Sequence, residues 1–139
     1  MKLTKAEKLS HLTDLIHLSL IDNRQIKIER VYIEKVSSSL GVEDRDLQKL
    51  YNEVTSNTPL TYELPDRESK IIPLFHRLLI MMTIDRKISG SEILLCKEIG
   101  LRMGLNLYAI DEILDLAVSD TNDVIDPRFI NSIFKKYYN

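Results

Sequence analysis

Two short stretches carry residue types that could do chemistry. Residues 21 to 29 read IDNRQIKIE, and residues 84 to 92 read IDRKISGSE. In each, Ile-Asp closes an apolar run, a polar segment follows, and a Glu stands seven residues after the Asp. Asp22, Glu29, Asp85 and Glu92 offer hard oxygen donors, so the chemistry they suit is divalent-cation binding, of calcium, magnesium or zinc. Two carboxylates per loop are too few for a tight site. Both loops would have to converge, or loop carbonyls and waters would have to join in. An EF-hand is excluded. In DRKISGSEILLC the third position is Lys87, the fifth Ser89 and the twelfth Cys96 where a bidentate Glu belongs, and the first stretch places Arg24, Ile26 and Lys27 at positions three, five and six.

Each carboxylate also has a purely structural explanation. SGSE reads as a capping box with Ser89 as N-cap and Glu92 at the third helical position, which accounts for Glu92 without a ligand. Asp85 would accept loop N–H groups in an Asx turn. The first stretch fits less well. Three residues before Glu29 stands Ile26, which has no oxygen to cap with, and Asp22 follows a helix C-terminus, where the macrodipole disfavours a carboxylate. Those mild costs point to something else that wants negative charge there.

A second cluster is HLTDLIH, with His11, Asp14 and His17 three residues apart. On a helix these spread over about 120° of arc in a slanted stripe. With Leu9, Leu12, Ile16 and Leu20 on the other side, the expectation is a solvated polar face rather than a zinc site. His76 lies within the most apolar segment and is expected hydrogen-bonded at its edge, and Cys96 reads as a small core residue. No Ser or Cys stands in a recognisable arrangement with His and an acid, and no Gly-rich phosphate loop exists. DTNDVID, with Asp120, Asp123 and Asp126, reads as a polar loop ending in an Asp-Pro helix start. FKKYYN could stack on nucleic acid, but the spacing of Phe134 and Tyr137 suits packing better. An enzyme is not expected.

Helical periodicity supplies the elements that must position these groups. Leu9, Leu12, Ile16 and Leu20 recur at three and four; Val31, Ile33, Val36 and Leu40 follow and stop at Gly41; Leu47, Leu50, Tyr51 and Val54 form a third set. TSNTPLTYELPDRESK, with Pro59 and Pro65, interrupts the pattern as a connector over about 57–69. The order then repeats. PLFHRLLIMMTI is a strongly apolar helix, a helix through Ile93, Leu94, Ile99 and Met103 ends at Gly104, and LYAIDEILDLAV makes another. Ile130, Ile133, Phe134 and Tyr137 mark a last helix over about 127–138.

At an offset of 63 the halves share Leu15/Leu78, Ile21/Ile84, Asp22/Asp85, Glu29/Glu92 and Gly41/Gly104, with similar residues at Val36/Ile99 and Leu47/Ile110 and no gap. The reading is one all-α domain over residues 1–139, a bundle of about seven helices. It comprises two pseudo-repeated three-helix units (about 9–56 and 70–119) and a C-terminal helix. The His11, Asp14 and His17 equivalents are Leu74, Arg77 and Ile80, so that stripe is not repeated.

Bulk composition narrows the function. Of the 139 residues, 44% are apolar and 29% charged, with four Gly and four Pro, too few for the turns of an all-β fold. The net charge of −2, with signs interspersed, provides no global field for nucleic acid or anionic membrane. One cysteine allows neither an internal disulfide nor a multi-Cys zinc site. The start MKLTKAEKLSHLTDL has no apolar core of the signal-peptide kind, and no segment is long enough to span a bilayer, so a cytoplasmic location without membrane insertion is expected.

The repeated pattern of Asp, Ile, then Glu seven after the Asp, followed by a helix ending in Leu-Gly or Met-Gly, resembles the tellurite-resistance TerB family. The wider group includes the domain at the front of the membrane-anchored DjlA co-chaperones. The family motif Asp-Gly-x-Ile-x-x-x-Glu compares with DRKISGSE and DNRQIKIE, and the likeness covers about residues 9 to 118. Arg86 and Asn23 stand where the motif has Gly, and in the first copy the Ile falls one place late, at Ile26. The resemblance implies an all-helical fold with cation-binding acidic residues, here Asp22, Glu29, Asp85 and Glu92. It also implies a non-catalytic role, with a protein partner, in a stress-response or envelope-linked complex. Homo-oligomerisation is compatible with it. Resistance to tellurite is not implied.

Overall fold

The computed structural model describes residues 2–22, 25–59, 62–85, 87–119 and 126–137. Among them are seven helices and no strand: α1 (Lys5–Leu20), α2 (Lys27–Ser39), α3 (Asp44–Thr55), α4 (Glu68–Thr83), α5 (Gly90–Arg102), α6 (Leu107–Ser119) and α7 (Pro127–Lys136). The all-α bundle expected from periodicity is therefore present. Asn23, Arg24, Arg86, Asp120, Asp123 and the end of the C-terminal segment, Tyr138 included, lie outside the described residues.

Helix boundaries recur at the offset of 63. The first and last residues of α1 and α2 map onto those of α4 and α5, and α3 and α6 agree to within one residue. Both middle helices stop the same way. Gly41 and Gly104 take φ of +75° and +81°, a left-handed conformation that costs a Cβ-free residue little. Val42 and Leu105 then donate N–H bonds back to Ser37 and Gly100, the Schellman closure.

Two helices begin earlier than their apolar series. α1 starts one turn before Leu9, because Thr4 accepts the Glu7 N–H at 3.1 Å while Glu7 accepts the Thr4 N–H at 2.8 Å. α4 starts at Glu68 and carries Pro73 inside it rather than at its beginning. Polar first turns have no apolar period, which is why periodicity alone misses them.

α1 and α4 form the centre. α1 packs on α2, α3, α4 and α5, and α4 on α1, α5 and α7. Leu12, Leu15, Ile16, Phe75, Leu78, Leu79, Met81 and Met82 are fully buried. Here the two halves part. α3 packs directly on α1, whereas in the second half α7 packs on both α4 and α6, its Phe134 meeting Phe75 edge-to-face at 6.0 Å. The C-terminal residues thus serve the core, as their spacing suggested. Tyr137 and Lys136 also bind the Glu112 carboxylate on α6, at 2.6 and 2.9 Å.

α5 approaches this centre closely at Gly100, where an added Cβ would stand 2.8 Å from Phe75 Cε1 and 2.9 Å from Ile110 Cδ1. Helix propensity alone would make Gly100→Ala stabilising by about 1 kcal/mol. Because the Phe75 ring is fully buried against Phe134, overpacking wins, and the substitution is expected to lower stability by about 1–2 kcal/mol in urea unfolding.

Candidate functional site

The four carboxylates are positioned by two equivalent helix–loop–helix corners. Asp22 and Asp85 each follow the C-cap of a central helix, Ile21 of α1 and Ile84 of α4. Glu29 and Glu92 each occupy the third position of the next helix, α2 or α5. Both caps use the Glu. The Ser89 N–H donates to Glu92 Oε1 at 2.9 Å, and the Glu92 N–H returns a bond to Ser89 Oγ at 3.1 Å. The Ile26 N–H donates to Glu29 Oε1 at 3.1 Å, but Ile26 has no oxygen to return the bond, so the first copy holds half a box. Asp85 Oδ1 accepts the Lys87 N–H at 3.0 Å, the expected Asx turn.

The loops are fastened differently. Gln25 Nε2 donates to Ser19 Oγ at 2.8 Å and to Tyr51 Oη at 2.9 Å, tying the first loop to α1 and α3. At the equivalent position of the second loop, Ile88 packs its side chain on the core instead.

These corners meet. Asp22, Glu29, Asp85 and Glu92 line one cleft of about 280 Å³, with Lys87, Ser19 and Ser89 beside them. Glu29 and Glu92 are each only 5% exposed. Burial raises the Glu29 pKa, and the negative charges of Asp85, Glu92 and Asp22 raise it further against the pull of the Ile26 N–H. Glu92 is raised by burial and by the charges of Asp22 and Asp85, against its bonds from Ser89. Residues from both halves therefore share one electrostatic site. The carboxylates are neighbours rather than a closed cage: among the described residues, no group of three or more His, Cys, Asp or Glu is gathered closely enough to hold a metal ion. A cation would have to draw the side chains in. Lys87, unmarked by any sequence pattern, adds a positive group at this cleft.

The His11, Asp14 and His17 stripe is neither a solvated face nor a metal centre. His11 and Asp14 are each 2% exposed and His17 is half-buried, which corrects the expectation of a polar face in water. α5 and the segment before α4 cover that side of α1. Arg102 at the end of α5 places one Nη2 2.6 Å from both Asp14 oxygens, the Tyr62 ring lies 3.7 Å from its guanidinium carbon, and the Glu63 N–H donates to Ser10 Oγ at 3.3 Å. Burial nonetheless pushes Asp14 up to about 6, the pull of Arg102 offsetting only part of the desolvation. His11 has no hydrogen-bond partner on either ring nitrogen among the described residues; burial, helped by the positive charge of Arg77, pushes it down to about 3, so it is neutral. Cys96 is fully buried, with its thiol pushed up to about 12 by burial and by Glu92, which suits a core residue and not a nucleophile.

The linkage signs give two outcomes. Asp14 has a folded pKa above its ordinary 3.8, so its contribution is full below about 3.8 and is lost as pH rises through about 6. Removing Arg102 enlarges that loss. Arg102→Met is expected to cost about 2–3 kcal/mol at pH 7.5, below the range for fully buried pairs because Arg102 is partly exposed, and much less at pH 4.5, by urea unfolding at both pH values. Glu29 and Glu92 are likewise raised, so their contribution is present at acid pH and lost as each ionises. Glu29→Gln keeps an oxygen for the Ile26 N–H and removes the repulsion. Its melting temperature is expected above wild type at pH 7.5 and equal to it at pH 4 in divalent-free buffer.

Comparison with family models, with curated proteins and with solved structures returns no match for this chain.

Proposed function

We propose that the protein is a non-catalytic, TerB-like interaction module, cytoplasmic and working in a stress-response or envelope-linked complex, whose working feature is the acidic cleft between its two inter-helix corners. The observation that carries this reading is the convergence of Asp22, Glu29, Asp85 and Glu92, 63 residues apart in sequence, on one cleft. These are the positions that the resemblance to TerB proteins implicates. A non-catalytic role accords with the burial of Cys96 and with the engagement of Asp14 by Arg102. Among the described residues, no helix is long and apolar enough to cross a membrane.

A divalent cation is the natural regulator of such a cleft. Glu29 and Glu92 repel the other carboxylates, and a cation would convert that repulsion into attraction while drawing the loops together. In the second reading, metal sensing or sequestration is itself the function, supported by the same mutual repulsion.

The deciding measurement is thermal unfolding with calcium, magnesium or zinc, for wild type and for the Asp22→Asn/Asp85→Asn double variant. At a free ion concentration a hundredfold above its Kd, wild type is expected to melt roughly 5–10 °C higher and the double variant to stay unchanged. The gain should shrink at pH 4.5, where protons compete for the carboxylates. If no ion shifts the melt, both cation readings fall, and the carboxylates remain helix-start architecture.

A further inference from the structure

A cavity lies away from the acidic cleft, between the start of α1, the end of α2 and the first half of α4. Its volume is about 510 Å³, within the usual range of small-molecule sites. Lys2, Lys8, Lys70 and Arg77 line it, and among the described residues no carboxylate does. None of these four cations forms an ion pair among the described residues. In a chain whose net charge is −2, this is a local concentration of the opposite sign.

The internal repeat explains where the missing counter-charge should be. At the offset of 63, Arg77 on α4 is the counterpart of Asp14 on α1, and Ser39 at the end of α2 is the counterpart of Arg102 at the end of α5. At one contact between the halves, the central helix α1 supplies an acid and the end of α5 supplies the cation that neutralises it at 2.6 Å. At the equivalent contact, the central helix α4 supplies the cation and the end of α2 supplies only a hydroxyl, which already donates to the Val36 carbonyl at 3.0 Å. Arg77 is half-buried, and its charge reaches the buried His11 and the Tyr32 phenol. A half-buried guanidinium that shares a cavity with three lysines and has no ion-pair partner among the described residues is suited to an anion.

Two further features set the chemistry of that anion. α4 begins with Glu68, the acid of its first turn, and the next two residues, Ser69 and Lys70, line the cavity, the first offering a hydroxyl and the second an ammonium to an anion. The remaining wall is apolar, formed by Leu3, Leu40, Pro73 and Leu74. We propose that this cavity binds an organic phosphate ester with an apolar portion, whose phosphate takes against Arg77 the place that Asp14 takes against Arg102. The apolar portion lies on the leucine wall. A soluble phosphorylated metabolite and a phospholipid headgroup share this chemistry.

The test uses the full chain and isothermal titration with 1-naphthyl phosphate, 1-naphthol and inorganic phosphate. Flotation with vesicles of phosphatidic acid in phosphatidylcholine, against phosphatidylcholine alone, forms the second arm. Naphthyl phosphate is expected to bind saturably at one site per chain, at least tenfold tighter than either inorganic phosphate or naphthol. Arg77→Met should weaken it at least tenfold. Ser39→Glu, which builds a carboxylate opposite Arg77, should abolish binding while the ligand-free protein melts at or above the wild-type temperature, so that loss of binding is separated from loss of fold. Vesicle binding that disappears in Ser39→Glu assigns the lipid source, and soluble-ester binding without vesicle binding assigns the free one. Equal binding of naphthol, binding undiminished in both variants, or no binding in either arm overturns the proposal.

Discussion

The whole molecule follows from the mutual enclosure of α1 and α4. Each central helix packs against several others, so the buried positions along it, polar or apolar, must be satisfied by protein rather than by water. Each fully buried Leu, Ile or Phe there contributes about 1.5–3 kcal/mol from its removal from water. That same enclosure makes the polar residues of α1 expensive unless they find partners. Thr13 and Ser19 turn back to the carbonyls of Leu9 and Ile16, Ser10 takes an N–H from the connector, and Asp14 takes Arg102. His11 alone of this group has no partner among the described residues, and it remains neutral. The two central helices pack together, and the corners that follow them meet at the acidic cleft.

Local signals were legible in the sequence wherever the physics is local. Spacing gave the helix type, Gly41 and Gly104 gave two helix ends, and SGSE gave a capping box that the structure reproduces in both directions. The Asx turn at Asp85 and the Asp126–Pro127 start of α7 are of the same kind, Asp126 accepting the Arg128 N–H at 2.9 Å. What could not be read was any pairing across the chain. Asp14 and Arg102 are 88 residues apart, and nothing near either one announces the other. A stripe of His, Asp and His opposite an apolar face has the pattern of a solvated surface. It becomes interior only because α5 and the segment before α4 lie over it. The Asp and Glu pairs were visible as a repeat, yet their meeting depends on how two whole units dock.

The two units have kept their frame and changed its contents. Helix boundaries still coincide, but one loop is held by Gln25 and the other by Ile88, and one cap is complete while the other lacks its oxygen. The largest departure is in the packing around the central helices. α3 lies directly on α1, while α7 packs on α4 and brings Phe134 onto Phe75. A tail helix outside the repeat thus completes the second unit.

The meeting of Asp22 and Glu29 with their own counterparts has the geometry of an isologous dimer interface folded into one polypeptide. Were the halves separate and identical chains, a residue on the two-fold axis would face a copy of itself, and a charge there would meet its like. Joining the halves lifts that obligation. One copy of a position can become Asp14 while the other becomes Arg77, and one helix end can become Arg102 while the other becomes Ser39. Covalent linkage thus lets a duplicated scaffold hold an acidic junction and, at equivalent positions such as 14 and 77, two opposite charges.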